Sequence, residues 1–473
     1  MAPGPLQRST LVITNVHLAN DSGDTASRQI YTLVCTNGEV HSIEAVNGAT
    51  AHDEPTPRVQ IYPDATVLDA GGHGISLPSL CHAHIHLDKC LLLPGRCDTL
   101  VKGDFQEALE VTARAKASFL DDPEDLYNRG RQLTVESIKC GVTIMRAHVE
   151  VDKTVRMVCL DVGLRLQEEL RDACDIQVAV FAQDPLFTSM DSAEPGENYL
   201  LLCEAARRTG VSAVGSAPYV EPSITQAKKN IDLILDIAYE KMLHADFHLD
   251  YNLDPASEPL VWYLLSQLRG RIREGRWAAA SRVCVGHATR LTLFSRDEWD
   301  ELARIIREED LPLTLVGLPP SDLYMMGRDT SSPPRGTLDV PRLRREHGLR
   351  VGMSVNNVGN AFTPQGPIDP LALCPLGIAI FQAGTEEDAK ILLESITVDA
   401  KTAIQTLESR SKPFSLRVKV GDRADFVLLD QNDTVYEVAL RPSYVRTTIK
   451  SGVIVAKRVD SSWVMGELGS QKL

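Results

Sequence analysis

The sequence predicts a (β/α)8, TIM-like barrel with a small β-sandwich built from both chain ends. Three observations predict it. Eight apolar strand candidates alternate with amphipathic helical stretches through the centre of the chain. Short strands without helical period fill residues 11–72, and such strands return only near residues 424–457. Polar and ionisable residues recur at the ends of the central strands, where a barrel of this kind carries its chemistry. The divisions expected are residues 1–75 and 406–473 for the two halves of the sandwich and 76–405 for the barrel.

The first strands read as Leu11–Leu18, Ile30–Cys35, Glu39–Ala45 and Thr66–Ala70, separated by polar, Gly- or Pro-bearing turns. Their counterparts at the far end are Ala424–Leu429, Tyr436–Leu440 and Tyr444–Lys457. The barrel strands read as Ser76–His86, Val142–Val151, Ile176–Ala182, Ser212–Ala217, Met242–Asp250, Arg282–His287, Leu313–Leu318 and Arg350–Asn356. Amphipathic helices are expected between them, among them Phe105–Leu120, Glu124–Lys139, Arg156–Asp172, Asp232–Met242 and Asp297–Glu308.

At 473 residues the chain can hold a barrel of roughly 250 residues and a second module. A net charge of −15 argues against nucleic acid or an anionic membrane surface as a partner. No apolar run approaches the ~18 residues of a membrane span, and the first residues lack the apolar core of a signal peptide. The ten cysteines carry no CxxC pair, which suits reduced thiols. A cytoplasmic protein with a small-molecule substrate is therefore expected, with homo-oligomers left open.

The candidate site starts at Leu80–Asp88. On a strand, side chains two residues apart share a face, so His84 and His86 point the same way and can share a metal ion such as zinc or iron. Alone, the pair reads equally as core histidines, and His82 belongs to the same stripe. Other strand ends add weight: His148, Glu150 and Asp152; Gln183 and Asp184; Asp246, His248 and Asp250; His287; Asn356 and Asn357. Such groups are costly to bury unpaired, and one shared site explains their recurrence.

These motifs resemble the amidohydrolase superfamily, in its cytosine deaminase-like branch. The resemblance runs through Pro78–Asp88, His148–Val151, Phe181–Gln183, Asp246–Asp250, Gly286–Thr289 and the terminal Val445–Lys457 strand pair. It implies one divalent metal ion held by His84, His86 and His248. It also implies a substrate contact at Gln183 and a His287 that polarises a carbonyl or helps deliver water. His148, Asn356 and Asn357 complete the expected substrate-binding set.

Two positions depart from that pattern. The strand-five Glu that shuttles protons in cytosine deaminases is Tyr251 here, and the strand-eight metal-binding Asp is Asn356. An amide cannot accept the proton, and a phenol with a reference pKa of about 10 is a poor base. The reading is therefore a metal-dependent hydrolase of a C–N bond in a small, cyclic substrate, with Asp250 as surrogate base beside His287 and Tyr251. The alternative is a cyclase, isomerase, lyase or lapsed binding protein on the same fold. Lys89 is not a carboxylated barrel lysine by position, since that role belongs to a later strand.

Overall fold

The structure, a computed structural model, describes residues 10–19, 29–46, 62, 64–328, 331–404 and 414–462. Four strands open the chain: β1 (Leu11–Leu18), β2 (Tyr31–Thr36), β3 (Glu39–Ala45) and β4 (Thr66–Pro78). Eight more form the barrel: β5 (Leu80–His86), β6 (Val142–Glu150), β7 (Asp175–Ala182), β8 (Val211–Ser216), β9 (His244–Leu249), β10 (Val283–His287), β11 (Leu313–Gly317) and β12 (Gly352–Met353). The last three are β13 (Phe426–Asp430), β14 (Arg446–Lys450) and β15 (Val453–Arg458).

The barrel strands pair in parallel in chain order, β5 to β12, with helices between them. Their near-continuous burial is what strands covered on both faces require. The ring closes after β12. His86 N–H donates to the Asn356 carbonyl at 2.8 Å, Asn356 N–H donates to the His84 carbonyl at 3.2 Å, and the Ser354 hydroxyl donates to that carbonyl at 2.7 Å. The strand expected over Arg350–Asn356 is thus only two residues of regular ladder. Asn356 adopts a left-handed φ of 68°, which ends regular extension there.

The terminal strands form one seven-stranded sheet, in the order β15-β14-β13-β4-β1-β2-β3. It wraps around its own core of Leu11, Ile13, Leu33, Val40, Phe426 and Ile449. The far edge returns to the C-terminal segment, where Val40 N–H donates to the Asp422 carbonyl at 2.8 Å. Ser79 is the step from sheet to barrel. Pro78 pairs with Phe426 in the terminal sheet, and Leu80 pairs with Val142 in the barrel. The division expected at residue 405 lies outside the described residues.

Helix signals act locally. Helix Pro123–Cys140 starts at Asp122, whose side chain accepts from Asp125 N–H, with Pro at the first position. It stops at Gly141, φ 110°, where a Cβ would stand 2.7 Å from Val427 of β13. That glycine lets the barrel seat against the terminal sheet. One expectation is corrected. Tyr436–Leu440 is not a strand but part of helix Val435–Leu440, started by Thr434 accepting from Glu437 N–H. Five residues of alternating apolar character do not separate strand from helix, and the Thr-x-x-Glu start decides.

Candidate active site

The C-terminal mouth of the barrel gathers five imidazoles. His248 on β9 is the centre: its Nε2 lies 3.0 Å from His84 Nε2 and 2.9 Å from His86 Nε2. The His148 ring centroid is 4.0 Å from that of His84, and the ligating atoms of His84, His148 and His248 lie within 4.8 Å of one another. That cluster can hold a metal ion. The His287 ring stands 5.3 Å from the His248 ring. Burial pushes the His84, His86 and His248 pKa values well below 6.5, His84 and His86 helped by the Lys89 charge. All three are neutral, which is the ligating form.

His82 does not join them. Between His82 and His86, β5 advances four residues while its partner β6 advances three, from Met145 to His148. That bulge turns His82 to the outer face, where its Nε2 meets the Ser137 hydroxyl at 3.2 Å. Beneath the imidazoles, Asp246 is paired with the fully buried Arg146 at 2.9 Å. The other Asp246 oxygen lies 3.3 Å from His148 Nε2 and 3.7 Å from His84 Nδ1.

Asn356 donates through Nδ2 to the Ser321 hydroxyl at 2.8 Å, and its Oδ1 is buried without a hydrogen-bond partner. Asn357 is turned into the following loop, where its Oδ1 accepts from Asn360 Nδ2 at 2.8 Å. His287 Nδ1 meets Asp322 Oδ1 at 2.7 Å, and Tyr251 stacks on the His287 ring at 3.7 Å. Asp322 Oδ2 accepts from Thr337 Oγ1 at 2.8 Å and from Leu318 N–H at 3.1 Å. Burial, and then the Asp322 charge, holds the Tyr251 phenol well above its ordinary value, so it stays protonated.

Asp250 departs from expectation. Its two oxygens accept the backbone N–H groups of Leu260 and Val261 at 2.8 and 3.0 Å. It thereby caps helix Leu260–Arg273, whose own cap position is Pro259 and has no side-chain hydrogen bond. A left-handed φ of 54° turns it out of the strand's alternation, away from the face it would share with His248. Asp250→Ala is expected to destabilise the fold by about 0.5–2 kcal/mol, the range for a lost cap. Metal content per chain should not change. Thermal unfolding and elemental analysis of the same preparation check both, and loss of metal would show that Asp250 acts through His248.

The chain matches no protein-family model. It is 22% identical over 448 residues to the N-isopropylammelide isopropyl amidohydrolase of Pseudomonas sp. (strain ADP), covering 94% of this chain and 97% of that protein. Among solved structures, the 5-methylcytosine deaminase of Klebsiella pneumoniae superposes with a TM-score of 0.79 at 21% identity, over 96% of this chain and all of that one. The N-isopropylammelide isopropylaminohydrolase of Burkholderia multivorans gives 0.70 at 21% identity, over 95% and 99%. Over nearly its whole length the chain is thus similar to cytosine deaminase-like amidohydrolases, whose fold it shares.

The Gln183 side chain and Lys89 meet at the mouth. Lys89 Nζ donates to Glu150 Oε1 at 2.9 Å and to Gln183 Oε1 at 3.1 Å, and stands 5.1 Å from the Phe362 ring centroid. Glu150 is also paired with Lys116. Burial raises its pKa, but Lys116 and Lys89 outweigh that and hold it down to about 2. Phe105 packs edge-on against Tyr219, Tyr251 and Phe362. Lys89 and Asp322 were the residues hardest to see in the sequence. The available signals were a cation directly after His84–Asp88, and an acid at the start of the Pro319–Met325 helix. Among the described residues, no helix is long and apolar enough to cross a membrane.

Proposed function

We propose that the protein is a metal-dependent hydrolase that releases an amine or ammonia from a small nitrogen heterocycle. The observation that carries this is the convergence of His84, His86 and His248 through Nε2, together with a buried, partnerless Oδ1 on Asn356, which bridges to Ile85 between the first two histidines. One imidazole lone pair serves one donor, so three converging Nε2 atoms cannot all be satisfied by one another, and such a set with the Asn356 carbonyl oxygen added suits zinc or ferrous iron. His148 lies beside that set as a further donor. When bound, such an ion supplies Lewis acidity, polarising an oxygen so that water attacks carbon near neutral pH.

The chain's own residues supply the rest. His287, its Nδ1 held on Asp322, presents Nε2 as the proton carrier. It takes the proton that water loses as oxygen bonds to carbon. It returns that proton to the nitrogen, which leaves as the C–N bond breaks. Tyr251 covers one face of His287 and keeps its own proton, so it donates but does not act as base. Phe105 packs edge-on against Tyr219, Tyr251 and Phe362, which puts an aromatic cluster next to His287. The names of the similar proteins, amidohydrolase and deaminase, support hydrolysis over the cyclase, isomerase, lyase or lapsed readings.

The test is amine release from amino- and alkylamino-substituted pyrimidines and triazines, with zinc or iron restored after chelation. Metal-dependent release is expected. One metal per chain with no release from any ring would end the hydrolytic reading. Asn356→Asp, which adds a charged oxygen at the same place, is expected to tighten metal binding, measured by competition with a chelating dye. Unchanged affinity would remove Asn356 from the donor set.

A further inference from the structure

We propose that Lys89 sets the substrate preference of this site, by fixing the Gln183 amide so that the pocket recognises a hydrogen-bond acceptor on the ring. The inference rests on the reading that the barrel mouth takes a small planar heterocycle.

The argument starts from what an ammonium can do. A protonated lysine has three N–H donors and no acceptor. Nζ of Lys89 is 3.1 Å from the Gln183 side-chain amide, so the amide must turn its oxygen to the lysine. Its NH2 then faces the other way. That NH2 donates to the Tyr219 hydroxyl at 3.4 Å, a long contact that leaves donor capacity over. A glutamine left to itself offers a donor or an acceptor with equal ease, by a half-turn of the amide. Here the half-turn would face two donors with each other over a 2% exposed lysine, and burial makes that conflict costly.

Lys89 is itself held in place. Glu150 Oε1 accepts its second N–H at 2.9 Å, and the backbone N–H of Lys89 donates to Asp88 Oδ1 at 2.8 Å. Glu150 N–H in turn donates to Asp88 Oδ2 at 2.6 Å. Asp88 therefore ties the end of β5 to the end of β6 and fixes both ends of the lysine. The Asn360 amide also donates to the Lys89 carbonyl, at 3.1 Å. The pocket wall thus presents donors from Gln183 and Lys89. The ring that fits carries a carbonyl oxygen or an unprotonated ring nitrogen towards that wall. A ring that presents an amino group there leaves buried donors facing each other.

The test uses two rings with the same exocyclic amino group: cytosine, with a carbonyl oxygen at position 2, and 2,4-diaminopyrimidine, with an amino group there. Binding is measured by calorimetry on the metal-loaded protein, in alkaline buffer that keeps both rings neutral. Wild type should bind cytosine more tightly by about tenfold or more, the loss expected when a buried donor has no acceptor. Lys89→Met frees the amide to turn, and the affinity ratio should fall towards one with metal content unchanged. Lys89→Arg keeps a donor in place and should keep the preference. If wild type binds both rings equally, prefers the diamine or binds neither, the proposal is wrong. It is also wrong if a folded Lys89→Met retains the full ratio. Should Lys89→Met fail to fold, the wild-type ratio and Lys89→Arg still decide. Preferential binding of cytosine without amine release would sink the hydrolytic reading and leave this one standing.

Discussion

Asp322→Asn is expected to lower kcat by about 10²–10⁴-fold, the contribution of a positioned acid–base group. KM and metal content should change little. Among the described hydrogen bonds Asp322 reaches none of His84, His86, His148 and His248; it acts on His287, 2.7 Å away. A carboxylate at that place accepts the Nδ1 proton, which leaves Nε2 free to take one. An amide can present its NH2 to Nδ1 instead, which forces the proton onto Nε2 and removes the base. The amide is nearly the same size, so the Thr337 and Leu318 contacts to the other oxygen can persist. Steady-state kinetics with thermal unfolding separate the outcomes. Unchanged kcat would exclude His287 as the proton carrier and return the role to another group. A fall in kcat matched by a loss of metal would mean that Asp322 only maintains the site.

Part of this arrangement was open to sequence reasoning, and the rest was hidden for identifiable reasons. The barrel was legible because each strand is an apolar run followed by an amphipathic helix, and β6 and β7 fall within a residue of their expected bounds. The imidazoles were legible because alternation puts His84 and His86 on one face. Alternation fails where the backbone leaves the extended region. The bulge before His84 turns His82 outward, and a left-handed φ takes Asp250 out of line, to a helix start ten residues on. Neither feature has a local signature, since both residues have ordinary neighbours. His287 and Asn356 are left-handed as well, at φ 69° and 68°. Such conformations cost on the order of 1–3 kcal/mol each and persist where surrounding contacts over-determine them. Here those contacts are the Asp322 pair for His287, and the Ser321 and barrel-closing bonds for Asn356. Pairings such as Lys89 with Gln183 and His287 with Asp322 join residues 94 and 35 positions apart, and only the closed barrel brings them together.

His248→Ala is the substitution with the largest expected effect on metal binding. His248 Nε2 is the atom that both His84 Nε2 and His86 Nε2 approach, so its loss leaves two imidazoles without their common neighbour. Wild type should bind about one divalent ion per chain. Binding to the native state alone stabilises it by about 4 kcal/mol at a thousandfold excess over Kd, which raises the unfolding midpoint. His248→Ala should show no such rise on adding zinc and no bound metal after gel filtration, while its metal-free midpoint stays near that of wild type. The same pair of measurements on His86→Ala and His148→Ala decides the remaining ligand. His148 is within ligating reach of His84 and His248, but its Nε2 also stands 3.3 Å from the Asp246 carboxylate. A second imidazole nitrogen commonly points at such an acceptor while the first binds metal, so this contact alone fits either role. What favours His86 is its Nε2, which lies 2.9 Å from His248 Nε2. His86→Ala should therefore lose metal as His248→Ala does, and His148→Ala should retain it with affinity lowered by about 10–100-fold, the range for a group that supports a ligand. If the two outcomes are exchanged, the metal sits between β5, β6 and β9, and His86 faces the substrate instead.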